Sequence, residues 1–245
     1  MKKEMSTQEE IPLQKGRREF LKMGGLAVAG TGLVLMGCDD DDEDNNGNNQ
    51  DNQLPGVRND VFDLGGGDLG ILTYAYALEQ LEAEFSRRVV TATGFTTAFN
   101  AEEQQMMMEV YGHEVIHREF LRDLLMDRLP DSDSQLLPNL VFNFGNLDFS
   151  DRTAVLNAAR TLETTGISAY NGAGKLIDDE DLLNMAGKIV SVEGRHAAAI
   201  SMMINPDSTD FAPNPLDPAM TPSQVLGQIN QLNYITTDFT ANFLP

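Results

Sequence analysis

The stretch VYGHEVIHREFLRDLL, residues 110–125, places Glu114 and His117 three residues apart in a helix-forming run. On an α-helix, positions i and i+3 share a face, so Glu-x-x-His turns a carboxylate and an imidazole toward one point. The spacing recurs in SVEGRHAAAI, residues 191–200, with Glu193 and His196. Working outward in alternating steps of four and three, the first pair lies on the seam Glu103, Met107, Val110, Glu114, His117, Leu121, Leu124. The second lies on Leu182, Ala186, Ile189, Glu193, His196, Ile200, Met203. Both seams are otherwise largely apolar and are predicted to face a core, where an unpaired carboxylate is expensive. A buried cation would offset that cost, so the two pairs read as candidate metal ligands rather than as surface contacts.

Two further helices are predicted, each carrying glutamate. Asp68 to about Ala92 follows the breaker Gly65-Gly66-Gly67 and contains LEQLEAEF, residues 78–85. Its inward set is Leu72, Ala75, Glu79, Glu82, Ser86 and Val89, with Glu84 outward. Asn100 and Glu103 form a capping-box pattern ahead of the next helix, which runs to about Leu129 and stops at Pro130. Ser150 is read as the cap of a third helix to about Ala173, with the seam Leu156, Ala159, Glu163, Gly166, Tyr170. Asp178 is read as the start of a fourth, to about Ile204. Residues 205–222 hold five prolines and read as loop, and Thr221-Pro222 opens a short last helix.

Glu79 precedes Glu114 by 35 residues and Glu163 precedes Glu193 by 30, with midpoints in or beside the first–second and third–fourth connections. In an antiparallel hairpin, residues equally far from the loop are level, so each hairpin sets one glutamate beside one Glu-x-x-His. The 130–149 connection is long enough to run back along a helix, which gives an all-α four-helix bundle with one long crossover between its second and third helices and a short C-terminal helix.

LEQLEAEF, GHEVIHREFL (112–121), LETTGISAYNGA (162–173) and VEGRHAA (192–198) resemble the ferritin-like domain family, in the branch that includes desiccation-related proteins of plants. The resemblance covers about residues 59–204. It implies that Glu79, Glu114, His117, Glu163, Glu193 and His196 ligate two metal ions, with Glu114 and Glu193 bridging. Glu82 stands beside Glu79 or in its place. Tyr170 matches the family's tyrosine behind the ligands, while Ser86 departs from an aromatic at the corresponding position of the first helix. Four carboxylates and two imidazoles favour iron or manganese over zinc. Gly166, Gly187 and Gly194 read either as packing glycines or as room for ligands.

Ahead of the bundle, Arg17-Arg18-Glu-Phe-Leu-Lys22, the apolar run 23–36 and Leu35-Met-Gly-Cys38 resemble a twin-arginine export signal ending in a lipobox. The run is shorter than the roughly 20 residues that span a bilayer. The resemblance implies removal of residues 1–37, a lipid-modified Cys38 and a place in the cell envelope, at the periplasmic face or the cell surface. Residues 38–58, opening on DDDDEDNNGNNQ after Cys38, read as a disordered acidic tether. The expected domains are therefore 1–37, 38–58, 59–204 and 205–245.

Composition narrows the function classes. The chain has 245 residues, 41% of them apolar, with 17 basic against 38 acidic side chains and a formal charge of -21. That balance disfavours nucleic acid as a partner. A single cysteine excludes intrachain disulfides and cysteine-based clusters. The leading expectation is a lipid-anchored protein whose dinuclear iron or manganese centre reacts with oxygen or peroxide, as a ferroxidase, a peroxidase or a catalase-like enzyme, with ferrous iron as a further substrate. The alternative is a non-catalytic stress or desiccation module with an optional metal site.

Overall fold

The computed structural model describes residues 53–245; the expected export signal with Arg17 and Arg18, the lipidation candidate Cys38 and the expected tether as far as residue 52 lie outside the described residues. Four long helices carry the fold: α1 (Gly67–Thr91), α2 (Ala101–Arg128), α3 (Arg152–Ala173) and α4 (Glu180–Ile204). α1 packs on α2 and α3 on α4, with further contacts between α1 and α3 and between α2 and α4. This is the all-α four-helix bundle that the periodicity predicts.

End-to-end contacts fix the directions. Arg152, at the start of α3, pairs with Glu103 at the start of α2 and donates to the Met203 carbonyl near the end of α4 (2.6 Å). Arg128, ending α2, pairs with Asp179 ahead of α4 at 3.0 Å. Asp68, starting α1, accepts from the backbone N–H groups of Asp178 and Asp179. So α2 and α3 run the same way, and the 129–151 connection must return along the bundle. It does so across α1: Gln80 donates to the Pro138 carbonyl (3.3 Å) and accepts from Leu140 N–H (2.8 Å).

That crossover buries α1 on more than its inward seam. Residues 70–83 of α1 are all buried, with Leu137, Leu140 and Phe144 of the crossover also in the core. Within 70–83 the charged residues are Glu79 and Glu82 alone, a composition that fits burial on all sides. Phe85 meets Phe144 edge to face at 5.6 Å, and Tyr234 closes on Phe144 at 5.1 Å.

Caps locate the helix starts. Asn100 accepts from Glu102 and Glu103 N–H, and Glu103 returns a bond to Asn100 N–H, the expected capping box. Two caps differ by one residue from expectation. Asp151, not Ser150, caps α3, because the Ser150 hydroxyl is donated to Asp148. Asp179, not Asp178, caps α4. Glu103 heads the α2 seam in sequence but turns to its cap and to Arg152.

A small sheet joins the two ends of the described chain. β1 (Gly56–Arg58) pairs antiparallel with β2 (Val61–Asp63), which pairs parallel with β3 (Phe239–Thr240). The sequence predicts tether through residue 58, yet 56–58 is strand. Asp63 holds the junction: its buried carboxylate accepts from Gly65 N–H, the Thr240 hydroxyl and both nitrogens of Asn242. Gly65, at φ +79°, supplies the left-handed turn into α1. The last helix, α5 (Pro222–Leu232), is capped by Thr221 and buries Val225 and Ile229, packing on α3 from outside the four helices.

Candidate metal centre

Six side chains from the four long helices converge inside the bundle. Glu79 comes from α1, Glu114 and His117 from α2, Glu163 from α3, and Glu193 and His196 from α4; all six are buried. One donor atom each from Glu79, Glu114, His117 and Glu193 forms a set whose members lie within 4.8 Å of one another. Glu114, Glu163, Glu193 and His196 form a second set of the same size. Glu114 and Glu193 belong to both.

The imidazoles meet the carboxylates through Nδ1. His117 Nδ1 lies 2.9 Å from Glu193, 3.6 Å from Glu79 and 3.8 Å from Glu114. His196 Nδ1 lies 2.8 Å from Glu114, 3.3 Å from Glu163 and 3.7 Å from Glu193. These approaches fall outside hydrogen-bond geometry. Both Nδ1 atoms, both oxygens of Glu114 and of Glu193, and one oxygen each of Glu79 and Glu163 are buried with no hydrogen-bond partner among the described residues.

Such a cluster is costly by itself, since each buried ion carries a penalty of several kcal/mol, on the order of that for a buried salt-bridge partner left alone. Burial pushes the Glu79 carboxyl up to about 8 and Glu163 well above the usual carboxylate range, the Glu114 carboxylate adding to the rise at Glu163. Burial would lower His117 and His196, but the carboxylates around them, Glu114 foremost, push both up to about 12. Burial also opposes ionisation of Glu193, yet His117 and His196 hold it down at about 2.

Divalent cations would answer all of this. Four carboxylates balance two 2+ ions when the imidazoles are neutral, and donors at about 2.0–2.2 Å from a cation stand roughly 4 Å apart across it, the scale of both sets. The orphaned oxygens and nitrogens are hard and borderline donors, with no thiolate among them. The donor set therefore fits two metal ions; its composition does not choose between iron and manganese.

Tyr170 of α3 donates its hydroxyl to Glu79 Oε1 at 2.6 Å. Ser86, also buried, offers no such link to a ligand. Glu82, the alternative to Glu79, belongs to neither set and makes no ion pair with either histidine. It is buried where a Cβ on Gly166 would stand 2.8 Å from its Oε1, so Gly166 makes room for Glu82. Gly187 and Gly194 face open space. One residue escaped the sequence reading: His113 Nδ1 lies 2.9 Å from His196 Nε2. Its only signal is its place one helical turn before His117, in a chain with three histidines.

One turn from the cluster lies an apolar cavity of about 20 Å³, lined in part by Ala75, Leu121, Ala169, Tyr170 and Ile189. That is room for one very small molecule, and a lining of this kind keeps a cavity dry.

The pattern of the Ferritin-like domain family matches residues 67–206, from the start of α1 to just beyond α4. A search of curated proteins returns no match. The match covers more than half of the 245 residues and takes in all four helices that supply the buried glutamates and histidines; the chain belongs to the ferritin-like domain family.

Proposed function

We propose that the protein holds two iron or manganese ions and reacts with dioxygen or peroxide, the centre being ligated by Glu79, Glu114, His117, Glu163, Glu193 and His196. The observation that carries this reading is the pair of donor sets sharing Glu114 and Glu193. When bound, two such ions would supply redox equivalents and Lewis acidity at one point.

The chain's own groups do the rest. Glu114 and Glu193 serve both halves, while Glu79 with His117 and Glu163 with His196 each complete one. Tyr170 holds Oε1 of Glu79 and leaves Oε2 facing His117. The dry cavity next to Tyr170 excludes water and suits a small apolar oxidant, which favours dioxygen. The likeness of residues 17–38 to a twin-arginine lipoprotein signal supports a lipid-anchored protein of the cell envelope, through Arg17, Arg18 and Cys38, and the segments around the ligands support the desiccation-related branch of the family.

Metal analysis of the purified protein beside a Glu114→Ala, Glu193→Ala variant tests the centre. Two iron or manganese ions per chain, lost in the variant, are expected; stoichiometric zinc, or no metal after loading, would count against it. Turnover with ferrous iron and either dioxygen or hydrogen peroxide then separates an enzyme from a stress-related binding module. Cys38→Ala should move the protein from the membrane to the soluble fraction; unchanged membrane association would refute the anchor.

A further inference from the structure

The two halves of the centre match in their carboxylates and differ behind their imidazoles. His196 turns Nδ1 to Glu114 and Glu163, and its Nε2 lies 2.9 Å from Nδ1 of His113. The two rings are within 8° of parallel with centroids 5.2 Å apart. With nitrogens at 2.9 Å, that separation equals one hydrogen-bond contact plus the two ring radii. The rings therefore lie edge to edge in nearly one plane, as an N–H···N bond requires, rather than face to face. His117 likewise turns Nδ1 to its carboxylates, but among the described residues nothing hydrogen-bonds its Nε2.

The difference is written in the repeat. Gly112-His113-Glu114 of the first Glu-x-x-His corresponds to Ser191-Val192-Glu193 of the second, so the position before the glutamate is histidine once and valine once. An imidazole ligates through Nδ1 only when that nitrogen is bare, which puts the ring proton on Nε2. An acceptor at Nε2 holds that tautomer, fixes the ring's direction and makes the ligand more basic. His113 Nδ1 is such an acceptor when its own proton sits on Nε2.

We propose that His113 is a positioning residue for His196 and makes the Glu163/His196 half the tighter of the two for a divalent cation. The inference rests on the dinuclear reading above. Backing groups of this kind contribute about 10–100-fold in metal affinity.

The test is titration of the full chain with Mn²⁺, free ion being followed by electron paramagnetic resonance. The wild type is expected to take two ions, the first at least about 10-fold more tightly. His113→Val carries the residue of the repeat-related position at an exposed site. It should weaken the first step about 10-fold, closing the gap between the two steps, and leave the second nearly unchanged, with the same metal-free circular dichroism. His113→Ala serves equally if valine disturbs the helix. His113→Gln, whose side-chain carbonyl can accept from Nε2–H, should restore part of the loss, which a purely structural role would not predict. An unchanged first step in His113→Val and His113→Ala, or equal weakening of both steps, overturns the assignment. A wild type that takes no Mn²⁺ overturns the dinuclear reading with it, whereas two ions bound without regard to His113 overturn this inference alone.

Discussion

Tyr170 donates its hydroxyl to Glu79 Oε1 at 2.6 Å, reaching from the second helical hairpin to the first. Burial, with the Glu79 carboxylate next, pushes the Tyr170 hydroxyl well above the ordinary tyrosine range, so it stays a donor at any physiological pH. Tyr170→Phe leaves a buried oxygen of Glu79 without its partner. Metal-free protein should lose about 1–3 kcal/mol in urea unfolding. No loss would mean that Glu79 finds another donor.

Protonation sets a second expectation. Burial raises Glu79 from 4.5 to about 8, so its contribution to stability is complete below pH 4.5 and is lost as pH climbs through about 8. His117 and His196, raised from 6.5 to about 12 by carboxylates that outweigh burial, act in the same sense; their contribution is complete below 6.5 and declines above it. Glu193, held at about 2 by the two histidines against burial, works oppositely, its contribution vanishing only as pH falls through about 2. Metal-free protein should therefore melt at a lower temperature near pH 8 than near pH 5. Excess Mn²⁺ should reverse the trend, because binding displaces protons from these groups. Calorimetry with and without a chelator reads both, and a metal-free melting temperature that rises from about pH 5 to 8 would falsify the assignment.

Glu79 and Glu82 should separate by metal content. Glu82→Gln keeps the shape of a group outside both donor sets and should leave two ions per chain. It should also raise metal-free stability, since burial holds the Glu82 carboxyl well above its usual range. Glu79→Gln should lose the ion of the His117 half. Elemental analysis of the two variants decides; loss of an ion from Glu82→Gln would make Glu82 a ligand.

The glycines should also divide. Gly187→Ala and Gly194→Ala point a methyl into open space and should each gain about 0.8–1 kcal/mol from helix propensity. Gly166→Ala should forfeit that gain, because the new Cβ must move the buried Glu82 carboxyl. Gly172→Ala drives Cβ into the Met220 carbonyl, where Met220 N–H bonds Ser168, and should cost about 1–3 kcal/mol as the proline-rich loop lifts. Thermal melts of the four variants give the order.

The glutamates and histidines were legible because a helix's period alone puts i and i+3 on one face, and the apolar seams around them declare burial. Glu82 shares that seam with Glu79, three residues on, and only the lateral packing of α3 tells them apart. His113 is exposed and off the seam, so its contact with His196 depends on the register between α2 and α4, which no local pattern encodes. The caps slipped by one because Asp148, Ser150 and Asp151, or Asp178 and Asp179, are all capping types, and the surrounding bonds choose among them. Strands of two and three residues are too short for alternation to register, and the all-round burial of α1 arises from a crossover far along the chain.

The carboxylate of Asp63 fastens the beginning of the described chain to its last turn, ahead of α1. A pull arriving through the N-terminal segment would thus be resisted first by β1, β2 and β3 and their hydrogen bonds, before any helix felt the load. Load applied at that end would reach the buried glutamates and histidines only after those short strands had parted.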